Sequence, residues 1–203
     1  MFIDGNNWYH SLKQISVDSY ALDYRKVARK LLMDSRELTG IRYYIGEILS
    51  NITLIHQQKA RLKNLHTQQV HISLGRIEKI PVSSKNNPLA TKINQIIERD
   101  GTRIPDDIRQ ELTQLTREKI FTYTEKQVDV RIAVDLVSMA QRDEYDVAYL
   151  LSADGDFVPA VEEARRWNKK VFAVSASQGG RLSNAVDSFI KIPSSDWFHG
   201  CYK

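Results

Sequence analysis

Three aspartates follow short apolar segments of the sequence. Asp4 comes directly after the apolar residues 2–3, and Asp154 and Asp156 come shortly after residues 147–151. If both segments are parallel strands, their carboxyl ends meet at one edge of the sheet, where open α/β folds bind ligands. Carboxylate oxygens in this number suit Mg²⁺ or Mn²⁺, and the sequence has no Cys/His cluster with the spacing of a zinc site. We therefore predict a divalent-metal site formed by these carboxylates.

An aspartate after a strand also has a simpler interpretation, because it is a common helix N-cap. Asp4 or Asp154 alone would more often be a cap than a ligand. Three carboxylates at the ends of two strands are harder to explain in this way, since their mutual repulsion is unfavourable without a cation. The prediction of a metal site therefore depends on the group and not on any one residue.

Asp129 is a fourth candidate ligand, in the first turn of a predicted helix. It shares a helical face with the apolar Ile132 and Leu136, so we expect it to point to where the helix meets the sheet. Asp135 lies six positions further on, about 120° round the helix, and cannot share that direction. We expect Asp135 to stand behind the metal ligands or to be structural, paired with Arg131.

Apolar strands and amphipathic helical segments alternate along the sequence. Strands are predicted at residues 2–3, 41–45, 69–74, 146–151, 170–174 and 189–192, and helices at 22–33, 51–65, 89–99, 105–119, 128–140, 157–167 and 182–188. This alternation predicts an α/β domain in which helices cover both faces of a mainly parallel sheet.

Residues 81–124 interrupt the alternation. They begin with a turn-rich linker at 83–88 and continue with two helical segments, the second carrying Pro105 and two aspartates in its first turn. The segment is too short to bury a core of its own. We therefore predict a single domain over residues 1–203 with a helical insertion or lid at about 81–124.

Composition limits the classes of protein that fit. The hydrophobic fraction of 42% and the charged fraction of 27% are ordinary for a globular protein, and no run of 18 apolar residues predicts a membrane span. The first residues lack the features of a signal peptide, and the single cysteine, Cys201, fits a reducing cytoplasm. The net charge of +4 is compatible with a polyanionic partner but does not distinguish RNA from DNA.

Three segments, taken together, resemble the NYN domain, a family of PIN-like ribonucleases. They are residues 2–7 (Phe-Ile-Asp-Gly-Asn-Asn), 125–136 and 150–159, which includes the sequence Ser-Ala-Asp-Gly-Asp-Phe. The resemblance covers most of the chain. It implies a PIN-like three-layer α/β/α fold and cleavage of RNA, most simply single-stranded RNA, with Mg²⁺ or Mn²⁺. Two features depart from the family pattern: the first strand is very short, and the segment 81–124 is longer than the usual connection.

The resemblance also implies roles for individual residues. It maps the metal ligands onto Asp4, Asp129, Asp154 and Asp156, and it places Asn7 and Ser152 beside the metal, where they would bond phosphate oxygens or metal-bound water. Candidate contacts to the substrate are Asn6, Lys126 and Arg181, with Lys59, Arg61 and Lys63 as further cations and Trp8, Tyr9 and His10 as aromatic residues that stack on a base or pack the first helix.

A second basic and aromatic group consists of Arg165, Arg166, Lys169 and Lys170 around Trp167. These residues end a predicted helix that starts near Asp156, so three helical turns carry them about 15 Å from the metal edge. We therefore favour cations at a helix C-terminus with Trp167 in the core over a nucleic-acid contact.

Three other functions remain open from the sequence. A non-catalytic RNA-binding module of the same fold would bind RNA irrespective of metal. A flap-type deoxyribonuclease would prefer DNA. A phosphatase with an aspartyl nucleophile fits less well, because the expected Asp-x-Asp is absent where Asn6 stands. The sequence also leaves a homo-oligomer open.

Overall fold

The computed structural model describes residues 1–32, 36–49, 51–82, 87–117 and 121–203. The chain divides into two compact units, one formed by residues 1–76 with 125–203 and the other by residues 77–124. Most of the predicted linker, at 83–86, and parts of two predicted helices, at residues 33 and 118–119, lie outside the described residues. The two units are considered separately below.

A mainly parallel sheet is the frame of the fold. Within the described residues its strands are β1 (Phe2–Asp4), β2 (Arg42–Glu47), β3 (His71–Pro81), β4 (Phe121–Lys126), β5 (Val147–Leu151), β6 (Lys170–Ser175) and β7 (Ser188–Lys191). Their order is β4-β3-β2-β1-β5-β6-β7. Strand β1 is parallel to both β2 and β5, and β2–β3, β5–β6 and β6–β7 are parallel as well. The predicted parallel sheet is therefore confirmed.

The helices connect these strands, as the alternation in the sequence predicted. They are α1 (Gly5–Lys13), α2 (Tyr24–Leu32), α3 (Ile52–Thr67), α4 (Pro88–Asp100), α5 (Asp106–Arg117), α6 (Val128–Gln141), α7 (Val158–Arg166) and α8 (Gly180–Ala185). None of the helices in the described ranges is both long and apolar enough to cross a bilayer.

The predicted elements differ from the structure in several places. Strand β4 was not predicted, although its alternating aromatic and β-branched residues are typical of a strand. The predicted helix 182–188 ends at Ala185, and Ser188 already begins β7. Pro105 lies just before α5, where its carbonyl accepts the first helical bond from Arg109.

The short central strand β1 is held from both faces. Ile3 packs with residues of α1 and α2, including Trp8 and Val27, in one buried cluster. Phe2 packs in a second buried cluster with residues of α6 and α7, such as Leu136 and Val161. Full burial of one such side chain contributes about 1.5–3 kcal/mol. The burial of Phe2 and Ile3 is therefore enough to hold this three-residue strand in the sheet. Helices thus cover both faces of the sheet around β1.

The unit of residues 77–124 contains α4, α5 and parts of β3 and β4. Helices α4 and α5 pack on each other. On α4, the buried residues are Ala90 and Ile93. The ammonium of Lys79 lies over the ring of Phe121, 3.9 Å from its centroid. Whether this unit acts as a lid stays a prediction.

Candidate functional site

Asp4 ends β1 and caps the following helix. Its Oδ1 accepts a hydrogen bond from the backbone N–H of Asn7 at 3.1 Å, and its Oδ2 accepts one from the hydroxyl of Ser152 at 3.1 Å. Only 3% of Asp4 is exposed. Asp4 is therefore a helix cap, in agreement with the simpler interpretation. Capping alone does not explain its burial, because a helix cap can remain exposed to water.

The loop after β5 is tied to the same place. The backbone N–H of Asp154 donates to the hydroxyl of Ser152 at 3.1 Å, and the side-chain oxygen of Asn7 accepts from the N–H of Ala153 at 3.0 Å. Asp154 then caps a 3₁₀ turn by accepting from the N–H of Asp156 at 2.9 Å. Since β1 and β5 are neighbouring parallel strands, these bonds fix Asp4 and Asp154 at one edge.

Asn7 and Ser152 are therefore positioning residues. The hydroxyl of Ser152 is fully buried and bonds only inside the protein, to Asp4 and to the backbone of Asp154. It has no access to a phosphate oxygen, so the predicted contact between Ser152 and substrate is not supported by its position.

Asp129 and Glu125 complete the acidic group. Asp129 stands in the first turn of α6, and burial, followed by the charges of Asp154 and Asp156, raises the pKa of its carboxyl. Glu125, near the end of β4, accepts hydrogen bonds from the backbone N–H of Gly46 and from the side chain of Asn6. Burial raises the pKa of Glu125 as well, and the charge of Asp129 adds to it. Sequence reasoning missed Glu125 because it missed β4.

The carboxyl of Asp4 shows the electrostatic cost of this arrangement. Burial, with smaller contributions from the charges of Asp129 and Glu125, raises the pKa of Asp4 to about 7, although bonds from Asn7 and Ser152 act in the opposite direction. No Lys or Arg nitrogen in the described part of the chain lies within 4 Å of the five carboxylates. Within the described residues, their negative charge is therefore not offset by an ion pair.

A hydrated divalent ion fits these residues in donor type and in charge. Within the described ranges, no three His, Cys, Asp or Glu side chains are gathered closely enough to enclose a metal as they stand. Mg²⁺ keeps several waters and is commonly bound through only one or two carboxylates, so it does not require such an enclosure. The oxygen-only donors exclude a zinc site of the structural type.

Comparison with known sequences places the chain in a family. The profile of the NYN domain matches residues 1–193, nearly the whole chain. The chain belongs to the NYN domain family. Members of this family are generally nuclease-like. An uncharacterized protein of Methanocaldococcus jannaschii is 36% identical over 67 residues, which are 32% of this chain and 28% of that protein. The aligned part thus spans less than a third of that relative's length. No solved structure matches the chain.

Two exposed cations of this NYN domain are near members of the acidic group, Arg181 in space and Lys126 in sequence. Arg181, at the start of α8, has its Nε 3.7 Å from the position that a Cβ on Gly155 would occupy, between Asp154 and Asp156. Lys126 is an exposed residue at the end of β4, three positions before Asp129. Both positions are compatible with the predicted contact to a phosphate.

Asp135 does not join the acidic group. Its Oδ2 accepts a hydrogen bond from the hydroxyl of Tyr44 at 2.7 Å and lies 3.5 Å from the guanidinium of Arg42. The predicted pair with Arg131 was wrong. Asp135 instead connects α6 to β2. It therefore has a structural role, because it holds in place the helix that carries Asp129.

The two tryptophans that were considered as base-stacking or core residues differ in environment. Trp8 is fully buried and packs against Phe198, so it belongs to the core. Trp167 is 43% exposed, which contradicts its predicted place in the core. The nearby cations pair with carboxylates instead of standing free: Arg165 with Asp187, Arg166 with Glu163 and Lys169 with Asp143 and Asp146.

Replacing Ser152 with alanine should raise the pKa of Asp4 further, because the ionised carboxylate loses a hydrogen-bond donor. A bond to a charged group contributes about 1.5–3 kcal/mol, which corresponds to a shift of about one to two pKa units. Titration of the Asp4 side-chain carbon by NMR measures it, and Ser195→Ala at an exposed serine is the control. An unchanged Asp4 titration in Ser152→Ala would show that this bond does not stabilise the carboxylate.

Proposed function

We propose that this NYN domain is a metal-dependent endoribonuclease that hydrolyses phosphodiester bonds in single-stranded RNA, within a PIN-like fold. The observation that carries the proposal is the group of five carboxylates, one of them buried, that no basic side chain of the described residues neutralises. Membership of a nuclease-like family supports the same function.

The proposed ligands of Mg²⁺ or Mn²⁺ are Asp4, Asp129, Asp154 and Asp156. When bound, such an ion lowers the pKa of water and offsets the charge that develops on a phosphate. Asp4 and Asp154 are the core ligands, because strand ends and hydrogen bonds fix both of them. The more exposed Asp129 and Asp156 are placed to orient water on the open side of the group.

The remaining residues position the ligands or the substrate. Ser152 and Asn7 hold the ends of β1 and β5 together, so that Asp4 and Asp154 keep a fixed separation. Arg181 and Lys126 supply positive charge beside the carboxylates, where they bind the phosphates that flank the cleaved bond. Glu125 holds Asn6 and the end of β2, and thus shapes the surface next to Asp129.

The acidic group favours a nuclease over a metal-free RNA-binding module. A surface that only binds RNA needs positive charge, and five uncompensated carboxylates would repel the backbone of a polyanion. They are useful if a divalent cation binds there first, since the cation reverses the local charge. The shifted pKa of Asp4 agrees with this interpretation, because perturbed groups cluster at functional sites.

The test is cleavage of a labelled single-stranded RNA by the whole chain, with Mn²⁺ or Mg²⁺ and with a chelator. We expect internal cleavage with metal and none with chelator, because the carboxylates alone do not activate water. DNA of the same sequence and an RNA hairpin are the comparison substrates. RNA binding that chelator leaves unchanged, with no cleavage under any condition, would establish the binding module instead. Faster cleavage of DNA would establish a deoxyribonuclease.

A further inference from the structure

Helix α1 begins at the acidic group and has two distinct faces. Trp8, Ser11 and Leu12 are buried against the core. Asn6, Tyr9, His10 and Lys13, spaced by three, four and seven positions, lie on the other side of the helix and are exposed or half-buried. The outer face therefore leads away from the acidic group along the protein surface.

The outer face starts at a residue of the site. The side chain of Asn6 is hydrogen-bonded to Glu125, whose charge also acts on Asp4. Tyr9 is one helical turn further on, about 4.5 Å along the axis. A nucleic-acid strand that leaves the acidic group in this direction meets Tyr9 directly after Asn6.

Tyr9 belongs to a row of aromatic and cationic groups. Its ring centroid is 5.8 Å from that of Tyr20, with an angle of 34° between the rings. The guanidinium of Arg61, on α3, lies over Tyr20 at 3.9 Å from the ring centroid. Arg61 is exposed and makes no ion pair with any carboxylate of the described ranges, unlike Arg165 and Arg166 of α7.

We propose that Asn6, Tyr9, Tyr20 and Arg61, here called the tyrosine track, bind a single-stranded stretch of RNA next to the cleaved bond. Tyr9 stacks on a base, and Arg61 binds a phosphate of the same strand. The proposal rests on the proposed function and extends it, because it names residues that bind the unpaired strand and gives the direction in which the strand leaves the site.

The chemistry of the track fits an unpaired strand. Stacking of a base on an aromatic side chain contributes about 1–3 kcal/mol and does not depend on sequence. The bases of a duplex are already stacked and paired, so a half-exposed tyrosine discriminates against it. The acidic group repels the RNA backbone, so affinity has to come from contacts outside that group. Among the neighbours of the track, Lys13 adds positive charge, while the carboxylate of Asp18 bonds the backbone of Tyr20.

A purely structural role is the alternative, in which Tyr9, Tyr20 and Arg61 only attach the chain after α1 to helix α3. That role and RNA binding differ in what they predict for Arg61. Since its guanidinium is exposed, truncation to alanine removes a phosphate contact without opening the core. Arg29, an exposed arginine on α2, is a matched control for the loss of one positive charge.

The test measures binding of a 12-nucleotide single-stranded RNA by fluorescence anisotropy in the presence of chelator. It compares the whole chain with Tyr9→Ala, Tyr9→Phe, Arg61→Ala and Arg29→Ala. We expect the Kd to rise about tenfold or more in Tyr9→Ala and Arg61→Ala, as the loss of about 1.4 kcal/mol of stacking or phosphate contact requires. Tyr9→Phe should bind like the wild type, because it keeps the stacking face, and Arg29→Ala should change the Kd much less than Arg61→Ala.

Steady-state cleavage with Mn²⁺ gives an independent measurement. The KM of the wild type should fall as the RNA lengthens from 3 to 12 nucleotides in the assay, and Tyr9→Ala should weaken this dependence on length. Equal affinities of wild type and Arg61→Ala overturn the track, even if Tyr9→Ala fails to fold. A track-dependent Kd without any cleavage leaves the track intact and overturns the nuclease function, whereas cleavage with unchanged Kd and KM in all variants overturns the track alone.

Discussion

Asp4→Asn is expected to stabilise the folded chain by up to about 4 kcal/mol at pH 8, while it abolishes metal-dependent cleavage. Burial raises the pKa of Asp4 from its ordinary value of 3.8 to about 7, a difference of about three units at 1.36 kcal/mol each. The folded state therefore binds the proton more tightly than the unfolded state. Stability falls as pH rises from about 4 to about 7, and the neutral asparagine avoids this loss. Because its NH2 group cannot accept the hydrogen bond that Ser152 donates to Oδ2, about 4 kcal/mol is an upper limit.

The pH dependence of the Asp4→Asn effect is its most specific feature. The stabilisation should be absent below about pH 3, where the carboxyl is protonated in both states, and should reach a plateau above about pH 8. Chemical denaturation at several pH values without metal measures it, with Asp196→Asn, at an exposed aspartate, as the control. A constant difference between variant and wild type at all pH values would contradict the raised pKa. Mn²⁺ should stabilise the wild type and not Asp4→Asn.

Asp154→Asn is expected to lose Mn²⁺-dependent cleavage of single-stranded RNA by at least about a hundredfold. A metal-ligand contact supplies several kcal/mol of transition-state stabilisation, and each 1.36 kcal/mol is tenfold in rate. The fold should survive, because the amide oxygen of asparagine can still accept the hydrogen bond from the backbone of Asp156. Cleavage rates at saturating RNA and the melting temperature of the same sample are the two measurements.

The controls for Asp154→Asn separate a lost ligand from a disturbed loop. Asp196→Asn should retain the wild-type rate, and Asp154→Asn should bind RNA in chelator at least as tightly as the wild type, because it removes one repelling charge. A fully active Asp154→Asn would remove this residue from the proposed ligands. An inactive variant with a much lower melting temperature would instead assign Asp154 a capping role alone.

The strand ends that carry Asp4 and Asp154 could be predicted from local sequence. Each aspartate follows a run of apolar residues, and parallel strands place their ends at one edge whatever the details of the sheet. The position of Asp129 followed from helical geometry, since α6 begins at Val128 as predicted. These predictions needed only local periodicity and a rule that holds for all parallel sheets.

The contacts that connect distant segments could not be predicted in this way. Asp135 is four positions from Arg131, so a local pair was the simplest expectation, yet β2 supplies Arg42 and Tyr44 to it. Glu125 reaches the backbone of Gly46, 79 residues away, only because β4 brings it to the same edge of the sheet. Such pairings depend on strand order, which one sequence does not encode locally.

The hydrogen bond between Asp4 and Ser152 joins residues 148 positions apart. During synthesis, β1 leaves the ribosome well before its neighbour β5, which follows much later in the sequence. The carboxylates of the two strands therefore cannot meet until β5 has also been made. Contacts of such long range also make folding slow compared with helix formation. A nascent chain consequently holds no assembled acidic group until β5 and the loop after it have emerged.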